Sequence, residues 1–282
     1  MPAADIPALS ALNVTLTYGA KPVAEGLTLT IPRGRFTALI GPNGSGKSTV
    51  LRALAGLMRP AAGEIRLGDT PLRGLSSRSL ARRIGFLPQS PTAPEGLSVA
   101  DLIRQGRYPH RSLFERMTAG DEAACARALQ LTGLEGLARR PLDSLSGGQR
   151  QRAWIAMVLA QETDILLLDE PTTWLDIAHQ IEVMALMETL VRQGGKTVVA
   201  VLHDLNQTAR YAGHMVMLKA GRIIAEGPPA RVMDPALIRA GFGVDCIVTP
   251  DPVTGTPMWS AQPWPGGNSA AETGAAALSR SC

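Results

Sequence analysis

The most constraining feature of this chain is a short glycine-rich segment that follows an apolar run. Residues 41–49 read Gly-Pro-Asn-Gly-Ser-Gly-Lys-Ser-Thr and match the pattern G-x-x-x-x-G-K-[ST]. The apolar run Phe36 to Ile40 precedes them, and the helix-like stretch Val50 to Gly56 follows. A strand, a glycine-rich turn and a helix in this order let backbone N–H groups surround phosphate oxygens. The segment therefore predicts an α/β fold with a phosphate site.

The residue types in this segment suit a nucleotide with its metal ion. Glycines let the backbone curl, a lysine reaches the β- and γ-phosphates as a point charge, and a serine hydroxyl can ligate Mg²⁺. An accidental glycine-rich turn is the alternative, and the flanking strand and helix argue against it. The predicted contacts to ATP are Gly41, Pro42, Asn43, Gly44, Ser45, Gly46, Lys47, Ser48 and Thr49.

A second apolar run, Ile165 to Leu168, delivers two acids at its end. Asp169 can hold Mg²⁺ or its water shell, and Glu170 can orient or deprotonate an attacking water. An apolar strand that ends in two acids is a weak signal alone, and a solvated strand end is an equal alternative. Beside a phosphate-binding loop the pair becomes a strong prediction of nucleotide hydrolysis.

Periodicity outlines the rest of the fold. The run Val198 to Leu202 predicts a further buried parallel strand, whereas residues 11–32 and 63–67 alternate apolar and polar side chains and predict a small antiparallel sheet with turns at Gly19 and Gly63. Helical periodicity dominates from about 98 to 161, and residues 214–226 predict a hairpin that turns at Ala220-Gly221.

Composition limits the partners and the compartment. The net charge is +4 and the pI about 9.2, yet the arginines are scattered without a block of five, so we predict no nucleic-acid partner. The apolar run Trp154 to Ala160 is far shorter than the roughly 18 residues that a membrane helix needs, and no secretory signal is readable. The widely spaced Cys125, Cys246 and Cys282 predict reduced thiols without a functional role.

Residues 145–152, LSGGQRQR, place a serine and two glycines directly before the helical run Arg150 to Gln161. A helix that begins this way is a second anion-binding site. LSGGQRQR resembles the signature motif of ABC transporter ATPases, and the other motifs follow in that family's order from Leu12 to about Pro257. The resemblance implies that Ser146, Gly147, Gly148 and Gln149 contact the nucleotide held by a partner subunit.

The resemblance also assigns roles to single residues. Tyr18 resembles the aromatic that stacks on adenine, with a hydrophobic plug as the alternative. Gln89 resembles the glutamine that contacts Mg²⁺, the attacking water and the membrane subunit. Asp176 resembles the acid that crosses the dimer interface, although capping of the helix Ile177 to Val191 is an equally good interpretation. His203 resembles the histidine that contacts the γ-phosphate.

Three other histidines and one tryptophan are not assigned a catalytic role. His110, His179 and His214 lack the placement of His203 and are predicted to be non-catalytic. Trp174 stands where the commonest family form has a small residue, which bears on close dimer geometry, but an aromatic is ordinary in the ferric-siderophore branch. The implied catalytic set is Lys47, Gln89, Glu170 and His203, and the implied metal set is Ser48, Gln89 and Asp169.

The predicted fold class is α/β: a P-loop NTPase (RecA-like) core with a small antiparallel β subdomain and an inserted helical subdomain. We predict an ATPase domain over 10–245 with the helical part at about 90–161. A short C-terminal extension over 246–264 and a disordered tail over 265–282 complete the chain, the tail because it is rich in Gly, Ala and Ser.

Three stretches resemble the ATPases of bacterial ferric-siderophore importers: residues 85–110, 171–187 and 201–229. The resemblance implies an ATP- and Mg²⁺-dependent translocase subunit at the cytoplasmic face of the bacterial inner membrane. Its implied partners are a second ATPase subunit as a homodimer, two membrane permease subunits held near Gln89 and the segment Ser90 to His110, and indirectly a periplasmic or lipoprotein substrate-binding protein.

Other functions of ABC-type ATPases and of nucleotide-binding modules are alternatives to siderophore import. Haem and cobalamin importers have closely similar ATPases, so they are the nearest alternative. A soluble ABC ATPase acting on DNA or ribosomes usually carries two cassettes, a coiled coil or basic linkers, which this sequence lacks. A regulatory module without catalysis has no chemical need for Glu170, His203 and Gln89 together.

Overall fold

The computed structural model describes residues 6–19, 21–112, 115–173 and 175–263. Trp174, Cys282 and the predicted tail over 265–282 lie outside the described residues. The strands in the described part are β1 Leu9–Tyr18, β2 Lys21–Ile31, β3 Phe36–Ile40, β4 Ala62–Leu67, β5 Thr70–Pro71, β6 Ile84–Leu87, β7 Ile165–Asp169, β8 Thr197–Val201, β9 His214–Lys219, β10 Arg222–Gly227, β11 Cys246–Pro250 and β12 Pro257–Ala261.

The helices flank these strands and differ in length. Short 3-10 turns connect some of them. The α-helices in the described part are α1 Lys47–Leu54, α2 Ser77–Ala81, α3 Val99–Gln105, α4 Ala119–Leu131, α5 Gly147–Ala160, α6 Ile177–Arg192, α7 Leu205–Tyr211, α8 Pro229–Val232 and α9 Pro235–Phe242.

A six-stranded sheet in the order β10-β9-β3-β8-β7-β6 forms the centre of the fold. Its strands from β9 to β6 run parallel, and β10 pairs antiparallel with β9 at the edge. The carboxyl ends of β3, β7 and β8 therefore lie side by side, and the glycine-rich loop, the two acids and His203 leave the sheet at one edge. This arrangement confirms the predicted α/β class.

The predicted antiparallel sheet is also present, in the order β2-β1-β4-β5. One detail of the prediction was wrong: Gly63 is not a turn residue but lies inside β4. It sits opposite a register shift in β1 between Leu12 and Thr15, where an irregular ladder uses a residue without a side chain. The predicted hairpin at 214–226 is confirmed as β9 and β10, with Ala220 and Gly221 both at positive φ.

Alternate residues of the central strands face two cores. Ala38 and Ala200 belong to the core shared with α3 to α6, whereas Leu39 and Val199 belong to the core shared with α1 and the antiparallel sheet. Because both faces of the sheet are covered, the inner strands β3, β7 and β8 are almost entirely apolar, which is why the sequence shows them as continuous apolar runs. Burial on both faces fixes where each strand ends and thus where its polar residues emerge.

Two predicted helix starts were wrong, whereas the predicted start at Ile177 is confirmed. The helix after the glycine-rich loop begins at Lys47 rather than Val50, and the helix of the LSGGQ segment begins at Gly147 rather than Arg150. In the second case Ser146 caps the helix: its hydroxyl accepts from Gln149 N–H, and the Gln149 side chain accepts from Ser146 N–H. Both predicted starts fell late because the glycines were assigned to loops.

The extension after residue 245 forms a hairpin, β11 and β12, that packs on α7. The side-chain amide of Asn206 donates to the carbonyl of Trp259 (3.2 Å) and accepts from its N–H (2.9 Å). Arg210 contacts Asp251 at 2.6 Å. The hairpin thus covers the helix that directly follows His203.

None of the helices in the described ranges combines the length and the apolar character required to cross a bilayer. Cys125 and Cys246 are both buried and free.

Candidate functional site

An open cleft of about 690 Å³ lies over the carboxyl edge of the central sheet. It brings together most of the residues that the sequence singled out, from the glycine-rich loop, the end of β7 and the segments after β6 and β8. Its lining residues are Val23, Asn43, Gly44, Ser45, Gly46, Lys47, Ser48, Thr49, Gln89, Glu170, Thr173 and His203.

The start of the glycine-rich loop is shaped by close backbone packing. Gly41 has φ +143°, and a Cβ at this position would lie 2.0 Å from the carbonyl oxygen of Leu218. No other residue fits there without moving β9. At the other end of the loop, α1 begins directly after Gly46, so its free N–H groups point into the cleft.

Lys47 folds back over the loop. Its ammonium group donates to the carbonyl oxygens of Gly41 (2.8 Å) and Pro42 (2.9 Å), and the side chain is buried. Burial lowers the pKa of Lys47, while the nearby charges of Glu170 and Asp169 oppose that change. A buried cation beside a row of N–H groups provides positive charge for a polyphosphate.

The donor set next to Lys47 fits a magnesium ion. The Ser48 hydroxyl donates to Asp169 Oδ1 at 2.7 Å; Ser48 lines the cleft, and Asp169 is buried. The other carboxylate oxygen, Asp169 Oδ2, is buried and has no hydrogen-bond partner among the described residues. Burial raises the pKa of Asp169, and the hydrogen bond from Ser48 counteracts it. Mg²⁺ prefers oxygen ligands of this kind.

Glu170 is held by three side chains. Its carboxylate contacts His203 Nε2 at 2.9 Å and accepts hydrogen bonds from Gln89 Nε2 (2.8 Å) and the Thr173 hydroxyl (2.9 Å). Burial raises its pKa, but the hydrogen bonds from His203 and Thr173 outweigh burial, and the pKa lies below the ordinary value. The carboxylate is therefore ionised at neutral pH and can act as a base.

Other predicted site residues lie outside this cleft. Tyr18 ends β1 and is 53% exposed. Ser146 and Gly147 are exposed at the start of α5, and Asp176 is exposed at the start of α6. None of these residues is among the described residues that line the cleft.

Asp176 acts as a helix cap in this structure. Its carboxylate accepts from His179 N–H at 2.9 Å and contacts the ring Nδ1 of His179 at 2.7 Å. The His179 ring in turn packs against the LSGGQ helix, because a Cβ at Gly148 would lie 2.6 Å from it. Only glycine leaves room for this contact.

The remaining histidines lie away from the cleft lining. His110 Nε2 bonds the carbonyl of Gln161 at 2.8 Å, and His214 lies 3.5 Å from Glu226 on the outer hairpin of the sheet. Burial lowers the pKa of His214. That these histidines have no catalytic role stays a prediction.

Comparison with known proteins places the chain in a family. The family model for the ABC transporter matches residues 24–173, which include the glycine-rich loop, the LSGGQ segment and both acids. The chain belongs to the ABC transporter family.

Two relatives within this family are named as ATP-binding proteins of transport systems. The chain is 53% identical over 246 residues to the ferric enterobactin transport ATP-binding protein FepC of Escherichia coli (strain K12), covering 87% of this chain and 91% of that protein. It is 50% identical over 251 residues to the probable siderophore transport system ATP-binding protein YusV of Bacillus subtilis (strain 168), covering 89% and 91%.

A solved structure agrees over nearly the whole chain. It is an inward-facing transporter described as of the metal-chelate type, with a TM-score of 0.80 and 30% identity, covering 91% of this chain and 98% of that chain. The predicted resemblance to the ABC family and its siderophore-import branch is thus confirmed.

Several residues around the ABC site were not found from the sequence. The Thr173 hydroxyl donates to Glu170, but a threonine in a turn gives no signal in the sequence of where its hydroxyl points. Val23 lines the cleft from β2, a strand distant in sequence from the glycine-rich loop. Gln151 donates to the carbonyl of Pro171 at 2.9 Å, and its position in the LSGGQ helix was the available hint.

Proposed function

We propose that this chain is the ATP-hydrolysing subunit of an ABC importer that drives uptake of an iron(III)-siderophore complex. The observation that carries the proposal is Glu170, an ionised carboxylate held by His203 and Gln89 beside a phosphate-binding loop. We assign the ATPase domain to residues 10–245, with the helical part at about 90–161 inserted in it.

The proposed chemistry is attack of water on the γ-phosphate of ATP, which breaks the bond between the γ-phosphorus and the bridging oxygen and releases ADP and inorganic phosphate. Lys47 and the N–H groups at the start of α1 neutralise phosphate charge. Glu170 orients the attacking water and takes its proton, while His203 stabilises charge that develops on the γ-phosphate. The cleft residues thereby supply both the base and the positive charge that hydrolysis needs.

Magnesium fits the donor set formed by Ser48, Asp169 and Gln89. When bound there it would neutralise charge on the β- and γ-phosphate oxygens. The unpaired Asp169 Oδ2 supports this assignment, because a buried carboxylate oxygen without a partner is costly unless a ligand meets it.

A second ATPase subunit completes the proposed site. Ser146, Gly147, Gly148 and Gln149 form a capped helix start, and none of them is among the residues that line the cleft of the same chain. We infer a homodimer in which this helix start meets the γ-phosphate in the opposite cleft and Asp176 crosses the interface. Tyr18, exposed at the end of β1, supplies a surface for the adenine.

The proposed partners are two membrane permease subunits, contacted near Gln89 and the segment Ser90 to His110, and indirectly a periplasmic or lipoprotein substrate-binding protein. The chain would then work at the cytoplasmic face of the bacterial inner membrane. Support comes from the 53% identity to a ferric enterobactin transport protein. No residue of this chain is proposed to touch the chelate.

Uptake of radiolabelled iron tests the function. Cells that lack this subunit, and the same cells carrying the wild type or Glu170→Gln, are offered several ferric siderophores and haem. We expect loss of one ferric-siderophore signal that only the wild type restores. Unchanged uptake of siderophore iron together with lost uptake of haem iron would retain the ATPase and replace the substrate. Restoration by Glu170→Gln would contradict the ATP-driven mechanism.

A further inference from the structure

A short chain of hydrogen bonds connects the helix after His203 to the backbone before Asp176. Gln207 Nε2, on α7, donates to Gln180 Oε1 on α6 at 3.0 Å. Gln180 Nε2 then donates to the carbonyl of Leu175 at 2.9 Å. The two glutamines thus span the gap between two segments that leave neighbouring strands.

The donor-to-acceptor direction of these hydrogen bonds is fixed by the last acceptor, the carbonyl of Leu175. A backbone carbonyl can only accept, so the NH₂ group of Gln180 must face Leu175. Its carbonyl oxygen then faces Gln207, which must donate. Both glutamines are partly buried, and each amide is used in the one orientation that satisfies its neighbour.

A third glutamine holds the other side of the same backbone. Gln151, on the helix of the LSGGQ segment, donates to the carbonyl of Pro171 at 2.9 Å. Pro171 directly follows Glu170, and Leu175 directly precedes Asp176. The backbone that joins the proposed base to the proposed interface acid is therefore held at both ends by glutamine side chains from other helices.

We propose that Gln151, Gln180 and Gln207 are positioning residues. They fix the positions of Glu170, His203 and Asp176 relative to one another. Gln207 lies four residues after His203, and Asp204, directly after His203, caps the helix α7 that carries Gln207. A displacement of His203 on contact with phosphate is then passed through α7 and Gln180 to the residue before Asp176. This proposal rests on the proposed ATPase function and adds residues that do not themselves line the nucleotide cleft.

The consequence is a specific kinetic effect. Loss of these hydrogen bonds leaves the phosphate-binding loop intact, so the affinity for ATP is retained. Misplacement of the base or of the interface acid lowers the rate of hydrolysis, because small errors in geometry are costly to catalysis. If Gln180 and Gln207 act as one hydrogen-bonded unit, removing both costs no more than the more damaging of the two single substitutions.

The experiment uses the purified full-length chain. We would measure kcat and KM for ATP hydrolysis, and binding of a fluorescent ATP analogue, in Gln151→Ala, Gln180→Ala, Gln207→Ala and the double variant of 180 and 207. Gln193→Ala is the matched control, since Gln193 is exposed at the end of the same helix α6. Thermal unfolding monitors folding.

We expect kcat to fall by about fivefold or more in each glutamine variant, with KM and analogue binding within about twofold of the wild type. The double variant should equal the worse single variant, and Gln193→Ala should match the wild type. Values of kcat within twofold of the wild type, or additive losses at 180 and 207, would overturn the proposal.

An isosteric variant and the activity of the wild type distinguish loss of positioning from loss of folding and from failure of the proposed function. If truncation lowers the melting temperature, the isosteric Gln207→Glu removes the donor and keeps the volume. A Gln207→Glu variant that folds and keeps full kcat would contradict the positioning role. If the wild type itself does not hydrolyse ATP, the proposed function fails first, whereas an active wild type with unaffected glutamine variants rejects the positioning role alone.

Discussion

Glu170 adopts a left-handed backbone conformation, with φ +53°. Such a conformation is unfavourable for a residue with a side chain and persists only where its surroundings hold it. Here the buried strand β7 fixes one side, and hydrogen bonds to Thr173, Gln89 and His203 fix the carboxylate. The turn carries the carboxylate away from the strand axis and into the cleft, so strain and function coincide.

Replacing this carboxylate should separate binding from hydrolysis. In Glu170→Gln the amide keeps the size of the side chain but cannot take a proton, so we expect hydrolysis to fall by about 100-fold or more. Nucleotide binding should persist, and the variant should accumulate as a nucleotide-bound dimer when ATP is added. Steady-state hydrolysis and size-exclusion chromatography with ATP measure the two effects.

A matched control is Glu188→Gln, which alters a glutamate of α6 that pairs with Arg192 at 3.2 Å. It should hydrolyse ATP at the wild-type rate. Normal turnover in Glu170→Gln would show that another group is the base.

At the scale of elements, a buried ion pair joins three helices. Arg107, just after α3, contacts Asp121 in the first turn of α4 at 2.8 Å and the carbonyl of Ala160 at the end of α5 at 2.7 Å. It also contacts Glu162 at 3.0 Å. Removing one partner of a buried pair leaves an uncompensated charge, so this cluster fixes how the three helices pack.

The stability that Asp121 contributes should depend on acid pH. Hydrogen bonds from Thr118 and from Arg107 lower its pKa from 3.8 to about 2. Because the folded pKa lies below the unfolded one, the contribution is complete above about pH 4. The contribution of the Asp121 carboxylate to the free energy of unfolding is about 2 kcal/mol. This contribution is lost as the pH falls through about 2.

Urea unfolding between pH 7 and pH 2 would measure this. The difference in unfolding free energy between the wild type and Asp121→Asn should be largest near neutral pH and should shrink below about pH 4. The exposed Asp69→Asn serves as control and should follow the wild type. A constant difference across the range would show that Asp121 stabilises through packing rather than charge.

For the whole molecule, the proposed site is divided between two chains. The loop with Lys47 and the helix start with Ser146 lie on different parts of one chain, and Ser146 is exposed at its surface. A closed two-fold dimer would place each helix start over the opposite cleft and create two equivalent sites.

Mixing two inactive variants would test this division. Lys47→Ala lacks the phosphate contact, and Ser146→Arg blocks the helix start, so each should be inactive alone. A mixed dimer retains one intact site, and an equal mixture should regain about a quarter of the wild-type hydrolysis if sites act independently. Each variant mixed with itself is the control, and no recovery on mixing would argue that each chain works alone or that both sites must be intact.

The sequence by itself determined the parts whose physics is local. The apolar runs before Gly41 and Asp169 are strands because both faces of the sheet are buried, and a glycine-rich turn before a helix binds phosphate for reasons of backbone geometry. These signals were sufficient to predict the α/β class and the residues of the loop. The LSGGQ segment then identified the family.

Only the tertiary structure decided which distant side chains meet. That Gln89 and His203 both reach Glu170 depends on the order of β6, β7 and β8 in the sheet, which no local pattern encodes. The contacts of Gln180 and Gln207 likewise depend on how α6 and α7 pack. Amide and hydroxyl groups carry no periodic signal, so their partners become visible only when packing brings them within hydrogen-bond distance.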